Sequence, residues 1–231
     1  IDITFFANSV HVPRHGQVLP GEGTDTITLH GLQSSSGVVL DLAEVAQMRD
    51  TIHWNLAMVP NLTIPLVHVR GFSSASDRFD ILGFDAAVPT GVPSFLGDAV
   101  AVRSAALVVL RNFSQILNAP GDLFLRAAPA PVNADQHGKG FFAVRGAAAA
   151  GDDTTTVAAF LDPYGANHSY GSGLRHYFFV NIGSADSALY LFQDDGAANS
   201  QVAAAELTPI VRFIGLRTEG FSATQLADVF I

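Results

Sequence analysis

Charge is what this chain has least of. Only 14% of its 231 residues are Asp, Glu, Lys or Arg, where a soluble domain ordinarily carries about 25%. Lysine is nearly absent, since Lys139 stands alone among the 12 basic residues. Cysteine is missing altogether, which excludes disulfide frameworks, thiolate zinc sites, iron–sulfur clusters and a cysteine nucleophile. Long apolar runs are missing too. In the strongest apolar segment the longest unbroken run is Ala105 to Leu110, bounded by Ser104 and Arg111, against roughly 20 residues for a membrane-spanning helix. No helical membrane span is therefore expected. The remaining charge is acidic, net −9 with a pI of about 5.1. The arginines form no cluster, so no direct nucleic-acid binding is expected.

What the chain has instead is apolar surface. Hydrophobic residues make up 48% of it and the mean hydropathy is +0.30. Twelve basic and 21 acidic side chains must cover a folded surface of roughly 10,000 Å². Such a deficit implies surface hidden against other copies, a partner or glycan. Seventeen phenylalanines sharpen the point, because the pairs Phe5-Phe6, Phe141-Phe142 and Phe178-Phe179 send adjacent rings to opposite faces of a strand. Both faces then need a cover, supplied either by a neighbouring subunit or by the chain's own helices and loops.

Along the chain the pattern is mainly β. Thr24 to His30 alternates with period 2, and strand-like blocks recur at 1–8, 10–18, 38–40, 51–59, 66–69, 122–126, 141–145, 154–161, 174–182, 188–193 and 209–216. Turn clusters such as Pro20-Gly21-Glu22-Gly23 separate them. Two stretches predict helices. Over 41–50, Asp41 is the N-cap and Glu44 its capping-box partner; over 98–118, Val102, Ala106, Val109, Phe113 and Leu117 share a face, with two β-strands as the rival reading because Val100/Val102 and Leu107/Val109 also alternate. Neither an alternating βαβ rhythm nor an internal repeat is evident, and the loops are short. The expected fold is a single β-rich domain over 1–231, an antiparallel β-sandwich or jelly-roll-like arrangement, with 119–121 the one candidate break.

Few residues point to chemistry. Tyr164, Asn167, His168 and Tyr170 combine aromatic rings with adaptable polar groups on a Gly-rich loop, suited to stacking on a sugar or to a protein contact. Asp194, Asp195 and Asn199 offer hard oxygen ligands to calcium, as do Asp152 and Asp153. No other cofactor is expected. His11 and His15 are four apart but separated by Pro13, which argues against a shared helix face. Gly71-Phe72-Ser73-Ser74-Ala75 has the outline of a nucleophile elbow at Ser73, though Ala75 stands where glycine is usual. The sequons at Asn61, Asn112 and Asn167 are compatible with an extracellular or virion location. The leading expectation is a structural subunit that assembles with itself or with sister subunits, as in a viral capsid or an extracellular shell or filament. The alternative is a secreted carbohydrate-binding module or glycoside-active enzyme using the 164–170 loop with Asp162 or the Asp194/Asp195 pair; a serine hydrolase at Ser73 comes third.

Overall fold

The computed structural model describes residues 2–4, 15–30, 37–55, 63–80, 114–117, 139–165, 175–193, 202–222, 225, 226, 229 and 230. These residues are mainly strand and build two sheets. The first sheet holds β1 (Asp2–Thr4), β3 (Thr26–His30), β5 (Thr51–Asn55) and β7 (Arg78–Asp80) in that spatial order. The second holds β2 (His15–Val18), β4 (Gly37–Asp41), β6 (Val67–Arg70), β12 (Leu207–Ile214), β11 (Asp186–Gln193), β10 (Arg175–Ile182), β9 (Lys139–Val144) and β8 (Ser114–Leu117).

From β1 to β7 the chain gives one strand to each sheet in turn, so each strand pairs with the next but one. Such pairing is necessarily parallel. Thr28 lies opposite His53, 25 residues on, and His53 lies opposite Asp80 after 27 more. The result is a coil that repeats about every 25 residues in the manner of a solenoid. Eight of the ten ladders are parallel. The antiparallel arrangement expected from the short loops is confined to β10–β11 and β11–β12.

The coil does not end at β7. The chain contributes β8 to β11 and then returns as β12, which sits beside β6 in parallel with Val211 opposite Val67. Phe230 then forms a parallel bridge to Phe79 in the first sheet. Strand β12 and Phe230 thus occupy the next turn of the coil, with β8 to β11 inserted ahead of it.

Inward rows show why the coils stack. Ile27, Ile52, Phe79 and Phe230 form one row, and Leu40, Val69 and Phe213 another; all are buried in the core shared by the two sheets. Like residues in register fill the same interior volume from coil to coil. A second core lies on the other face of the large sheet, under α1 (Thr154–Gly165). Asp153 caps that helix, accepting from Thr156 N at 2.9 Å and from Thr156 Oγ1 at 2.6 Å. Val157, Ala158, Leu161 and Tyr164 give it one apolar face. The sequence pattern predicts a strand over 154–161. The cap and the i, i+4 face outweigh the β-branched Thr154-Thr155-Thr156-Val157 run.

Neither predicted helix is found among the described residues. Asp41 ends β4 and 42–50 is an irregular loop, because Glu44 turns outward to another coil. Of 98–118, residues 98–113 lie outside the described residues, and Ser114–Leu117 is strand β8, paired with β9. No helix among the described residues is long and apolar enough to cross a membrane.

The adjacent rings are covered by the chain itself. Phe141 stacks on Phe230 at 4.8 Å in the first core while Phe142 meets Phe178 at 5.6 Å in the second. Phe179 meets Phe213 and Phe230, whereas Phe178 packs on Phe192 across the sheet. Phe5-Phe6 lies outside the described residues.

Candidate functional site

Three loops carry the chain from the second sheet back to the first: 19–25, 42–50 and 71–77. They stack into one corner, and each ends in an aspartate immediately before the next strand: Asp25, Asp50 and Asp77. The column is built by backbone capture. Asp50 Oδ1 accepts from Asp25 N at 2.9 Å, and Asp77 Oδ1 accepts from Asp50 N at 3.1 Å. Asp77 Oδ2 also takes Ser73 N at 2.7 Å. Glu44 reaches one coil back to Gly23 N at 2.8 Å and closes its own loop on Met48 N at 3.0 Å. Glu22 accepts from Val45 N at 3.1 Å.

Glu22, Glu44, Asp50 and Asp77 each answer a loop amide that strand pairing leaves over, whereas Asp25 Oδ2 is enclosed without a partner. The corner therefore concentrates Glu22, Asp25, Glu44, Asp50 and Asp77, none with an ion-pair partner among the described residues. The nearby cations do not neutralise them: Arg49 is exposed, and Arg78 Nη1 spends itself on the carbonyls of Ser76 and Asp77. Asp25, Glu44 and Asp50 each bring one oxygen within 4.8 Å of the others, a spacing that suits a hard cation. Burial pushes the Asp50 carboxyl up to about 6, helped by the charges of Asp77, Glu44 and Asp25. Burial also raises Asp77.

A raised carboxyl makes the fold more stable in acid. The unfolded Asp50 titrates near 3.8 and the folded one near 6. Its contribution is complete below about pH 4 and is lost as pH rises through about 6. Asp50→Asn keeps the Oδ1 acceptor and removes the titration. It is expected to raise stability at pH 8 by on the order of 2–3 kcal/mol and to flatten the profile between pH 4 and 6, as read by urea unfolding. An unchanged slope would refute this assignment. Other groups act in the opposite sense at lower pH. Burial alone would raise Glu219, but Arg217 and Gly146 N hold it at about 2. Asp186 is likewise held low, against its burial, by Gly215 N and Arg212. Their stabilisation fades as pH falls below the ordinary carboxylate range.

Two further charged groupings have structural work. Arg212 bridges Asp152 at 2.7 Å and Asp186 at 2.6 Å, tying β12 to β11 and to the approach to α1. His53 Nδ1 meets Asp80 at 2.7 Å, joining β5 to β7.

The residues singled out from the sequence are dispersed. Tyr164 is buried in the second core, 5.6 Å from the Phe160 ring, so its ring is unavailable for stacking on a sugar. Asn167, His168 and Tyr170 lie outside the described residues, as do Asp194, Asp195, Asn199 and His11. Asp152 and Asp153 are engaged by Arg212 and by the helix cap. Asp162 lies in α1, its enclosed Oδ1 without a partner. His15 begins the extended strand β2. Ser73 opens a turn, its carbonyl accepting from Ser76 N and Asp77 N. Strand β7 follows where a nucleophile elbow requires a helix. The acidic corner itself went unread, although Asp25-Thr26-Ile27 and Asp50-Thr51-Ile52 repeat at a spacing of 25 and Asp77-Arg78-Phe79 follows. Comparison with protein-family models, curated proteins and solved structures returned no match.

Proposed function

We propose that this chain is a structural, self-assembling subunit of a shell, virion or filament outside the cell, and that it meets its neighbours through the loop corner. One observation carries the reading. Among the described residues the large apolar side chains left exposed are Leu19, Val45, Met48 and Ile64, and the first three belong to two of the three loops of this corner. Val45 is 97% exposed and Leu19 66%. The loops that hold them are fastened together by the Glu22 and Glu44 bonds, so they are presented on a fixed framework. A rigid apolar projection in a chain so poor in charge suits burial against another subunit. The paired phenylalanines no longer contribute to this reading, because the chain's own two cores account for the described pairs.

Burying a side chain of this size contributes about 1.5–3 kcal/mol. Val45→Asp with Met48→Asp is therefore expected to weaken self-association by about a hundredfold or more. Mass photometry and size-exclusion chromatography at micromolar concentration provide the test. A clean wild-type monomer would sink the proposal, and an oligomer unaffected by the double substitution would remove the corner from it.

A further inference from the structure

We propose that Arg145 is an anion-binding residue whose Nε and Nη2 together take the paired oxygens of a carboxylate or phosphate group. Both nitrogens are enclosed by protein and neither has a hydrogen-bond acceptor. They form one edge of the planar guanidinium, with two parallel N–H groups at the spacing of a bidentate oxyanion.

The acceptors around Arg145 are already in use. Val144 O accepts from Thr218 Oγ1 at 2.7 Å, and Ala147 O from Asn181 Nδ2 at 3.2 Å. The Glu219 carboxylate is divided among Gly146 N, Asn181 Nδ2 and Arg217. Arg212, Arg70 and Arg217 all have carboxylate partners, and Arg78 holds carbonyls. Arg145 thus differs from these arginines in having its fork unfilled.

Burial without a partner is costly for a charged donor. A buried carboxyl such as Asp50 can take up a proton, but a guanidinium cannot lose one at any ordinary pH. A single oxyanion from outside the chain would satisfy both donors at once. Arg145 as a whole is only partly buried, while Nε and Nη2 are themselves enclosed, so the anion reaches them by displacing what covers that edge. Its position one residue past β9, before the left-handed Gly146 (φ 76°), sets it on the sheet framework.

Thermal unfolding of the full chain, in chloride of matched ionic strength, tests the site with inorganic phosphate and with acetate as separate probes. The expected result is a saturable rise of several degrees in the wild-type midpoint, from whichever anion fits. Preference between the two probes identifies the group. Arg145→Met should abolish the response and, in chloride alone, melt no lower than wild type, because the unpaired donors are gone. Arg145→Lys, which lacks the fork, should retain less than a tenth of the affinity. The proposal is overturned if neither anion shifts the wild type, if Arg145→Met keeps the response, or if Arg145→Met melts several degrees lower in chloride. The last outcome would mean that the guanidinium already has a partner within the chain.

Discussion

Replacing Phe213 with alanine is expected to remove about 4 kcal/mol of stability, measured by urea denaturation. The ring is fully buried on β12 and stands in register with Val69 and, through it, Leu40. It meets Phe72 at 5.0 Å, Phe79 at 5.7 Å, Phe179 at 5.8 Å and Phe230 at 5.9 Å, each in edge-on geometry. Aromatic pairs of this kind contribute beyond their buried area. Phe213 is also where the returning strand, the inserted β10 and the first sheet meet, so little can collapse into the cavity. Phe213→Leu should cost much less, about 1–1.5 kcal/mol. A loss below about 1 kcal/mol for the alanine variant would mean that β12 and Phe230 do not pack as the next turn of the coil.

The second large effect belongs to a backbone position. Gly71 follows β6 with φ 73°, and a Cβ there would lie 2.5 Å from Ala43 N and 2.8 Å from Ala43 Cα. Those atoms belong to the neighbouring coil's main chain, held there by Leu42 N donating to Arg70 O at 2.8 Å. Gly71→Ala should therefore cost about 3 kcal/mol or more, combining left-handed strain with displacement of a coil. Gly215 is the matched control. It follows β12 at the corresponding place with φ 76°, yet a Cβ there meets nothing within 4 Å. Gly215→Ala should cost only about 1 kcal/mol. Equal losses at the two sites would contradict the close approach of the coils at Gly71.

Legibility in the sequence followed the range of the interactions. Most strands of the coil were readable where period 2 met β-branched residues, as at Thr26–His30, because alternation reflects one buried face and needs no knowledge of the partner. The 41–50 loop was misread because its local capping signals are real, with Asp41 Oδ1 accepting from Ala43 N at 3.3 Å, but Glu44 finds Gly23 N on another coil. The repeat was missed: its trace, the aspartates at 25, 50 and 77, is diluted by loops of unequal length and broken by the insertion before β12.

By itself the sequence determined a β-rich chain short of charge, free of thiol chemistry and without an apolar run long enough to cross a membrane as a helix. Only the tertiary structure decided that most strands pair in parallel, since pairing depends on which strand lies one coil away and not on the strand's own pattern. It also decided what the charge shortage means. Apolar rings on both faces of β9 and β10 are absorbed by two internal cores, one between the sheets and one under α1. Among the described residues the large apolar side chains still uncovered are Leu19, Val45, Met48 and Ile64, the first three in the loops that also carry Glu22, Asp25, Glu44 and Asp50. Residues 21 to 27 apart in the chain become neighbours there only because successive coils stack in register.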